Sequence, residues 1–496
     1  MSSKPPFVLT LDIGSSSVRA TVYDSTARIV PGEAAQIKYA YAFRTTPDGG
    51  SEMDADALLN HCFAAIDATL ARCTQPIAAV ASDCFAMSIL GVGADGNAVT
   101  PIFTYADSRG ASQVAELRVI FDERATHQRV GTLFHTSYLP ARIMWIAHER
   151  TEEFKQVKYW MSFGEYLYFK LLGVRAVSHS IASWTGLLNR EALDWDEKLV
   201  RELPIGREQL SVISEQSTVN SLKKEYASRW KVLKDAIWIP TIGDGAAANL
   251  GSGCVDSSRV AVTVGTSSAV RVARESERDK EIERLPFGLW SYRITRDIEL
   301  IGGALSEGGN VHAWMLDLLG DLPGRHWEDE LARLEPDTHG LTVLPFLSGE
   351  RAPNWNADAR GAFLGLTLST RPIEILRAGM EAVAYRLGLV YEMVREIAPN
   401  ATEVIASGGA LEKSPTWVQM IADVLNARVI ASAETEATSR GCALIALKEL
   451  GLIKSFGDVP ARLGRVYAPD LSRHEIYARA IERQKKWYNL VVKEQG

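Results

Sequence analysis

The chain has 496 residues, 46% of them apolar and 23% charged, a size that calls for two or three domains and a composition that rules out disorder. A formal net charge of -7, with no concentrated basic face, argues against nucleic-acid binding. Five cysteines at 62, 73, 84, 254 and 442 form no CxxC pair, which argues against a disulfide framework or zinc site; with no signal-peptide core and no membrane-length apolar window, a cytoplasmic protein is expected.

Residues 8–24, VLTLDIGSSSVRATVYD, read as two buried strands around a Gly-Ser-Ser-Ser turn. Val8, Leu9 and Leu11 precede the turn, and Val18, Ala20 and Val22 follow it. Gly14 lets the chain reverse and a ligand approach the backbone. Ser15, Ser16 and Ser17 present hydroxyls and amides, and Asp12 sets a carboxylate at the lip. This is the form of a phosphate-holding hairpin with a magnesium-side carboxylate. Taken alone, it is equally an ordinary hairpin with a polar tip.

Short strands and turns continue to about residue 57, and residues 54–73 place Leu58, Cys62, Ile66 and Leu70 on one helical stripe. PIAAVASDCFAMSIL has the character of a strand buried on both faces, the start of a mixed α/β sheet. TPIFTYADSRG then puts Asp107 and Arg109 between a strand and a helix predicted over 111–121. Such a pair suits polyol hydroxyls or a carboxylate, and equally a helix cap with a solvated arginine. From 130 to 235 the chain reads as largely helical. Within it the Ser/Thr-rich half of HSIASWTGLLNREALDWDEKLV suits strands or a turn, DWDEKLV suits a capped helix start, and Trp184 and Trp195 are expected in the core, with packing against a sugar face as the alternative. In AIWIPTIGDGAAANLGSGC a strand ends at Ile242, and Asp244 stands between Gly243 and Gly245 ahead of a small-residue helix. That setting suits a general base; a plain Gly-Asp-Gly loop is the alternative.

VAVTVGTSSAVRVA, residues 260–273, repeats the opening: Gly265 matches Gly14, and Thr266, Ser267 and Ser268 match the three serines. Two copies imply duplicated domains, expected over 1–248 and 249–496, with a hairpin on each wall of a central cleft. IGGALSEGGNVHAWMLDLL reads as a Gly-rich turn and a helix with Val311, Met315, Leu318 and Leu319 toward the core. Its glycines 302, 303, 308 and 309 would admit phosphate or ribose to a helix N-terminus. LPFLSGERAPNWNADARGAFLGLT is a long connector, a helix is predicted over 372–398, and Gly408 and Gly409 form a strand-to-helix turn open to a nucleotide base. A buried helix at TSRGCALIALKELGL and an amphipathic one close the chain.

Seven segments in order, LDIGSSSVRA, YADSRG, TIGDGAAANLGSG, AVTVGTSSAV, GGALSEGGNVHAW, PFLSGERAPNW and ASGGALEKSPTWVQMIADVL, resemble the FGGY carbohydrate kinases over the whole length. HSIASWTGLLNREALDWDE and FTYADSRG are most similar to gluconate-kinase members. The resemblance implies an α/β, two-domain sugar-kinase/actin/Hsp70-type ATPase (ribonuclease H-like) fold with duplicated domains, mixed sheets and a central cleft. It implies ATP-dependent phosphorylation of a sugar or sugar acid at a primary hydroxyl, gluconate above all, with xylulose or another ketopentose or polyol as the alternative acceptor. A nucleotide-binding regulator on the same fold is the non-enzyme alternative, against which the retained Asp12 and Asp244 speak.

By the same resemblance Asp244 is the catalytic base, and Asp12 holds Mg²⁺ with ATP. Gly14, Ser15, Ser16, Ser17 and Arg19 form the first phosphate site, and Gly265, Thr266 and Ser267 the second. Gly309 lies beside the nucleotide, Gly408 and Gly409 hold adenosine, and Met87, Ser88, Asp107 and Arg109 border the sugar. Ser88 stands where many relatives carry a histidine, a departure that bears on sugar choice. Arg142 reads as a surface helix residue, with pairing to a sugar-acid carboxylate as its other reading. The partner expected is a small-molecule sugar or sugar acid, with no nucleic acid and no membrane; a homodimer is compatible with the sequence but not read from it.

Overall fold

The computed structural model describes residues 3–31, 36–40, 43–73, 75–215, 218–219, 222–276, 284–320 and 327–493. Two mixed sheets with the same plan carry the molecule. In the first, the strands Phe7–Ile13, Ser17–Tyr23 and Gln36–Ala40 pair antiparallel, and Ile77–Cys84 and Ile237–Trp238 join in parallel on the other side. In the second, Trp290–Thr295, Ile298–Leu305, Ser268–Glu275 and Arg259–Val264 pair antiparallel, and Glu403–Ser407 and Val429–Ser432 join in parallel. Each central strand is buried on both faces, which is why Val8–Leu11 and Val260–Val264 read as near-continuous apolar runs.

The halves meet through two helices, Asp244–Gly251 and Ala437–Glu449. A β-carbon on Gly251 would overlap the Ala437 carbonyl, and one on Gly441 would overlap the Ala247 carbonyl, so the two glycines let the backbones cross in contact. A shared apolar cluster surrounds the crossing, with Val8, Ala79 and Ile242 from one half and Cys442, Leu444 and Leu300 from the other. The cleft above it therefore has a firm floor.

Local sequence explains most of the helices. Asp54 caps Ala55–Leu70 by accepting from the Ala57 amide at 2.7 Å, and Ser162 and Glu165 form a reciprocal capping box at the start of Phe163–Leu172. Three expectations are corrected. The Ser/Thr-rich stretch is a helix, His179–Trp184, because Ser178 caps it through the Ile181 amide and Ser183 and Thr185 return their hydroxyls to backbone carbonyls one turn back. Gly302 and Gly303 lie inside the strand Ile298–Leu305, where their missing side chains leave room for Trp290 and Val390. Leu318 is exposed, whereas Val311 and Met315 are buried as expected. No helix among the described residues is long and apolar enough to cross a membrane.

Candidate active site

A cavity of ≈ 520 Å³ lies between the two sheets, and both hairpins reach it: Ser15 from one side, Gly265, Thr266, Ser267 and Ser268 from the other. Each turn is closed by its own backbone, the Gly14 amide donating to the Ser17 carbonyl at 3.0 Å and the Gly265 amide to the Ser267 carbonyl at 2.9 Å. A second cavity of ≈ 490 Å³ adjoins it, with Gly408, Gly409 and Tyr467 in its walls. Ala248, Thr263 and Thr438 border both and so mark the passage between them.

Among the described residues Asp244 is the sole acidic one lining the first cavity. It opens the helix Asp244–Gly251, and its Oδ1 accepts from the Gly245 amide at 2.7 Å. Burial pushes its carboxyl up to about 6; the Gly245 amide and the Arg271 charge oppose that rise, and the Asp12 charge adds to it. A carboxylate with that affinity for a proton, open to a cavity, suits a general base.

The walls are aromatic. Trp184 from the first half stacks on Tyr292 from the second at 3.9 Å between ring centroids, and Trp290 continues the stack at 4.2 Å. The Tyr138 and Tyr292 hydroxyls are hydrogen-bonded across the halves. Trp184, expected in the core with packing against a sugar face as its other reading, is buried and forms a wall of the cavity. Two non-glycine residues on the walls hold left-handed backbone, Met87 (φ 59°) and Trp355 (φ 56°), the kind of strain that collects at functional sites. Arg142 secures the first of these: it is buried and donates to the carbonyls of Met87 (2.7 Å), Thr136 (2.9 Å) and Ser137 (3.2 Å). The surface reading of Arg142 is thus wrong, because the side chain is buried with its guanidinium spent on three carbonyls, two of them from the cavity-lining residues Met87 and Ser137.

Asp12 faces Arg19 across the first hairpin, 4.0 Å from it, and Arg19 also pairs with Glu436 of the other half. Behind Asp12 lies a fully buried Asp83, which the sequence reading passed over. Cys442 donates to its Oδ2 at 3.2 Å, and Asp12 is its neighbouring carboxyl. Burial and the Asp12 charge both raise Asp83, so Asp83 is the member of the pair that keeps a proton.

Several residues drawn from the sequence do not line either cavity. Asp107 and Arg109 are spent on each other and on Glu52, with Arg109 at 2.8 Å from the Glu52 carboxylate and over the Trp145 ring, while the Ser51 amide donates to Asp107. They hold the loop to the strand Ser51–Met53. Ser88 is buried and accepts from the Phe163 amide at 3.4 Å. The Gly309 amide is taken by the Gly265 carbonyl at 2.7 Å, so that glycine backs the second hairpin. Met87, Ser15, Gly265, Thr266, Ser267, Gly408 and Gly409 do line the cavities. Among the described residues a possible metal cluster, Asp337, His339 and Glu381, lies in the second half, with its carboxylates already paired to Arg483 and Arg377.

Residues 7–251 match the FGGY family of carbohydrate kinases, N-terminal domain, and residues 260–450 match its C-terminal domain. The chain belongs to the FGGY carbohydrate kinases. It is therefore a phosphotransferase, with the two-domain, actin-like α/β fold of that family. A gluconokinase of Bacillus subtilis (strain 168) is 27% identical over 93% of this chain and 91% of its own length. A gluconate kinase structure from Lactobacillus acidophilus superposes with a TM-score of 0.89 at 25% identity, and a ligand-bound xylulose kinase from the same organism with 0.89 at 26%, each covering 98% of both chains.

Proposed function

We propose that this FGGY kinase transfers the γ-phosphoryl group of ATP to a primary hydroxyl of a sugar or sugar acid, gluconate giving 6-phosphogluconate, with Asp244 as general base. The observation that carries the reading is the position of Asp244: a single carboxylate, raised to about 6, in a cavity bordered by both Gly-Ser/Thr hairpins. In the step, the acceptor oxygen bonds to the γ-phosphorus as the bond to the β–γ bridging oxygen breaks. The acceptor's proton passes to Asp244, and ADP departs with the electron pair. Base assistance of this kind is worth about 10²–10⁴-fold. Hairpin amides hold the phosphates, Gly408 and Gly409 border the adenosine, and Trp184 and Tyr292 present flat faces to the acceptor's carbon chain.

Mg²⁺ fits Asp12, a carboxylate beside the first hairpin with 15% of its side chain exposed and the buried Asp83 behind it. The ion would neutralise phosphate charge and Asp12 would hold it; burial raises the Asp12 carboxyl, and the Arg19 charge opposes that rise. Gluconate is favoured by the gluconokinase relatives, and the equal match to a xylulose kinase keeps ketopentoses as the second reading. The two functional halves divide near residue 248, a homodimer is the proposed assembly, and five unpaired, buried cysteines suit the cytoplasm. ADP release measured over gluconate, xylulose, ribulose and glycerol decides the acceptor. Turnover of xylulose without gluconate would reassign it.

A further inference from the structure

We propose that Arg271, rather than Arg19, is the arginine that neutralises charge on the transferring phosphoryl group. The inference rests on the phosphoryl-transfer reading above. By sequence position Arg19 is the natural candidate, yet its guanidinium is held between Asp12 and Glu436 and borders neither cavity. A guanidinium already matched by two carboxylates has little charge to spare for a phosphate.

Arg271 stands differently. It projects from the strand Ser268–Glu275 on the face that carries Ala269, since alternate residues share a face. Its cross-strand neighbour is Gly302, and that of Ala269 is Ala304. Small residues therefore flank its place on the strand, and Arg271 lines the cavity wall. Its Nη1 donates to the Thr263 hydroxyl at 3.3 Å. Thr263 is one of the residues that border both cavities, so this bond draws Arg271 to the passage a phosphoryl group must cross. On the other side, Arg271 Nε comes within 3.8 Å of the position a β-carbon would take on Gly245, next to Asp244.

Among the described residues no carboxylate lies within ion-pair distance of Arg271, and its Nε has no hydrogen-bond partner. A buried cation without a counter-ion is costly, and burial pulls its affinity for the proton down against the pull of Asp244. An anion entering the passage relieves that cost, most of all as negative charge builds on the equatorial oxygens during transfer. Arg351, the other cation on the wall, is tied to the Leu305 carbonyl at 2.8 Å and sits among Tyr105, Tyr138 and Trp355 at the acceptor end.

Arg271→Leu and Arg271→Lys test the assignment. With Arg271→Leu, kcat should fall on the order of 10²–10³-fold on whichever acceptor the wild type prefers. The acceptor KM and the ADP Kd should stay within about threefold, and the lysine variant should recover part of the rate. The acid limb of kcat/KM should also move to higher pH, because Asp244 loses a neighbouring positive charge. Calorimetric binding of ADP with aluminium fluoride, a mimic of the phosphoryl group in flight, gives a readout that needs no turnover: the leucine variant should lose at least tenfold while ADP alone binds as before. A raised acceptor KM with kcat intact would make Arg271 a reader of the acceptor and overturn the proposal. Unchanged binding of the fluoride complex would overturn it too. A wild type that prefers another sugar would displace gluconate and leave the Arg271 assignment standing.

Discussion

Replacing Asp244 by Asn removes the proton acceptor and keeps the shape. The Asn side-chain oxygen can still accept from the Gly245 amide, which donates to Asp244 at 2.7 Å, so the start of the helix Asp244–Gly251 should be undisturbed. The loss should be that of a general base, about 10²–10⁴-fold in kcat, with nucleotide affinity retained because the hairpins and the Gly408–Gly409 turn lie elsewhere. The wild-type pH profile supplies the second half of the test. With the carboxyl at about 6, roughly nine-tenths is ionised at pH 7 and roughly one-tenth at pH 5, so kcat/KM should climb about tenfold per unit below pH 6 and level above it. Stability should run the opposite way. A carboxyl raised from 3.8 to about 6 favours the folded state below pH 3.8, and that contribution is lost as pH rises through 6, a swing of about 3 kcal/mol. Asp244→Asn should therefore melt a few degrees higher than wild type at pH 8 and match it near pH 4. Turnover of the Asn variant within tenfold of wild type, or an acid limb centred near pH 4, would refute the assignment.

Gly408→Ala should weaken ADP binding at least tenfold by calorimetry while sparing acceptor KM, since Gly408 sits at φ +106° and a β-carbon there would meet the Val264 carbonyl. Arg386→Met strands the buried Glu350, which also accepts from Asn354 at 2.8 Å. Urea unfolding should show a loss of about 3–5 kcal/mol, part of it recovered by adding Glu350→Gln. Glu307 is buried with neither carboxylate oxygen partnered, and burial lifts it from 4.5 to about 7. Its stabilising protonated form is lost as pH rises through 7, so Glu307→Gln should raise the melting temperature at pH 8 and leave it unchanged at pH 4.

The parts of the site that were legible are those whose function needs a local backbone form. A hairpin whose Gly is followed by Ser or Thr, and an Asp flanked by glycines where a strand turns into a helix, announce themselves within a dozen residues, and the fold brings Ser15, Gly265, Asp244, Gly408 and Gly409 from those segments to the two cavities. What was missed depends on pairing between distant strands. Arg271 matters because Gly302 faces it from residues later in the chain, and Asp83 because a helix of the second half brings Cys442 against it. Asp107 and Arg109 mislead for the converse reason. Their loop position is that of a ligand-binding pair, but a buried Glu52 claims Arg109, and nothing near residue 107 in the sequence reveals it. Ser88 likewise sits in the expected segment and turns its hydroxyl to the Phe163 amide.

Duplication accounts for the cradle, and departure from it accounts for the chemistry. The two hairpins share their strand plan, but the second turn closes one residue sooner, Gly265 to Ser267 against Gly14 to Ser17, so the facing pair is Asp12 with Arg19 in the first and Thr263 with Ala269 in the second. In the first half the cation and the carboxylate lie opposite each other and offset one another. In the second half the opposing position has lost its charge, and the cation stands two residues further along, at 271, with no carboxylate near enough to match it. A perfectly repeated pair of walls would offer balanced charge on both sides of the passage and nothing for a phosphoryl group to gain by crossing it. The shift to Arg271, beside the proposed base Asp244 whose carboxyl burial has raised, leaves positive charge where the proposed transfer builds negative charge.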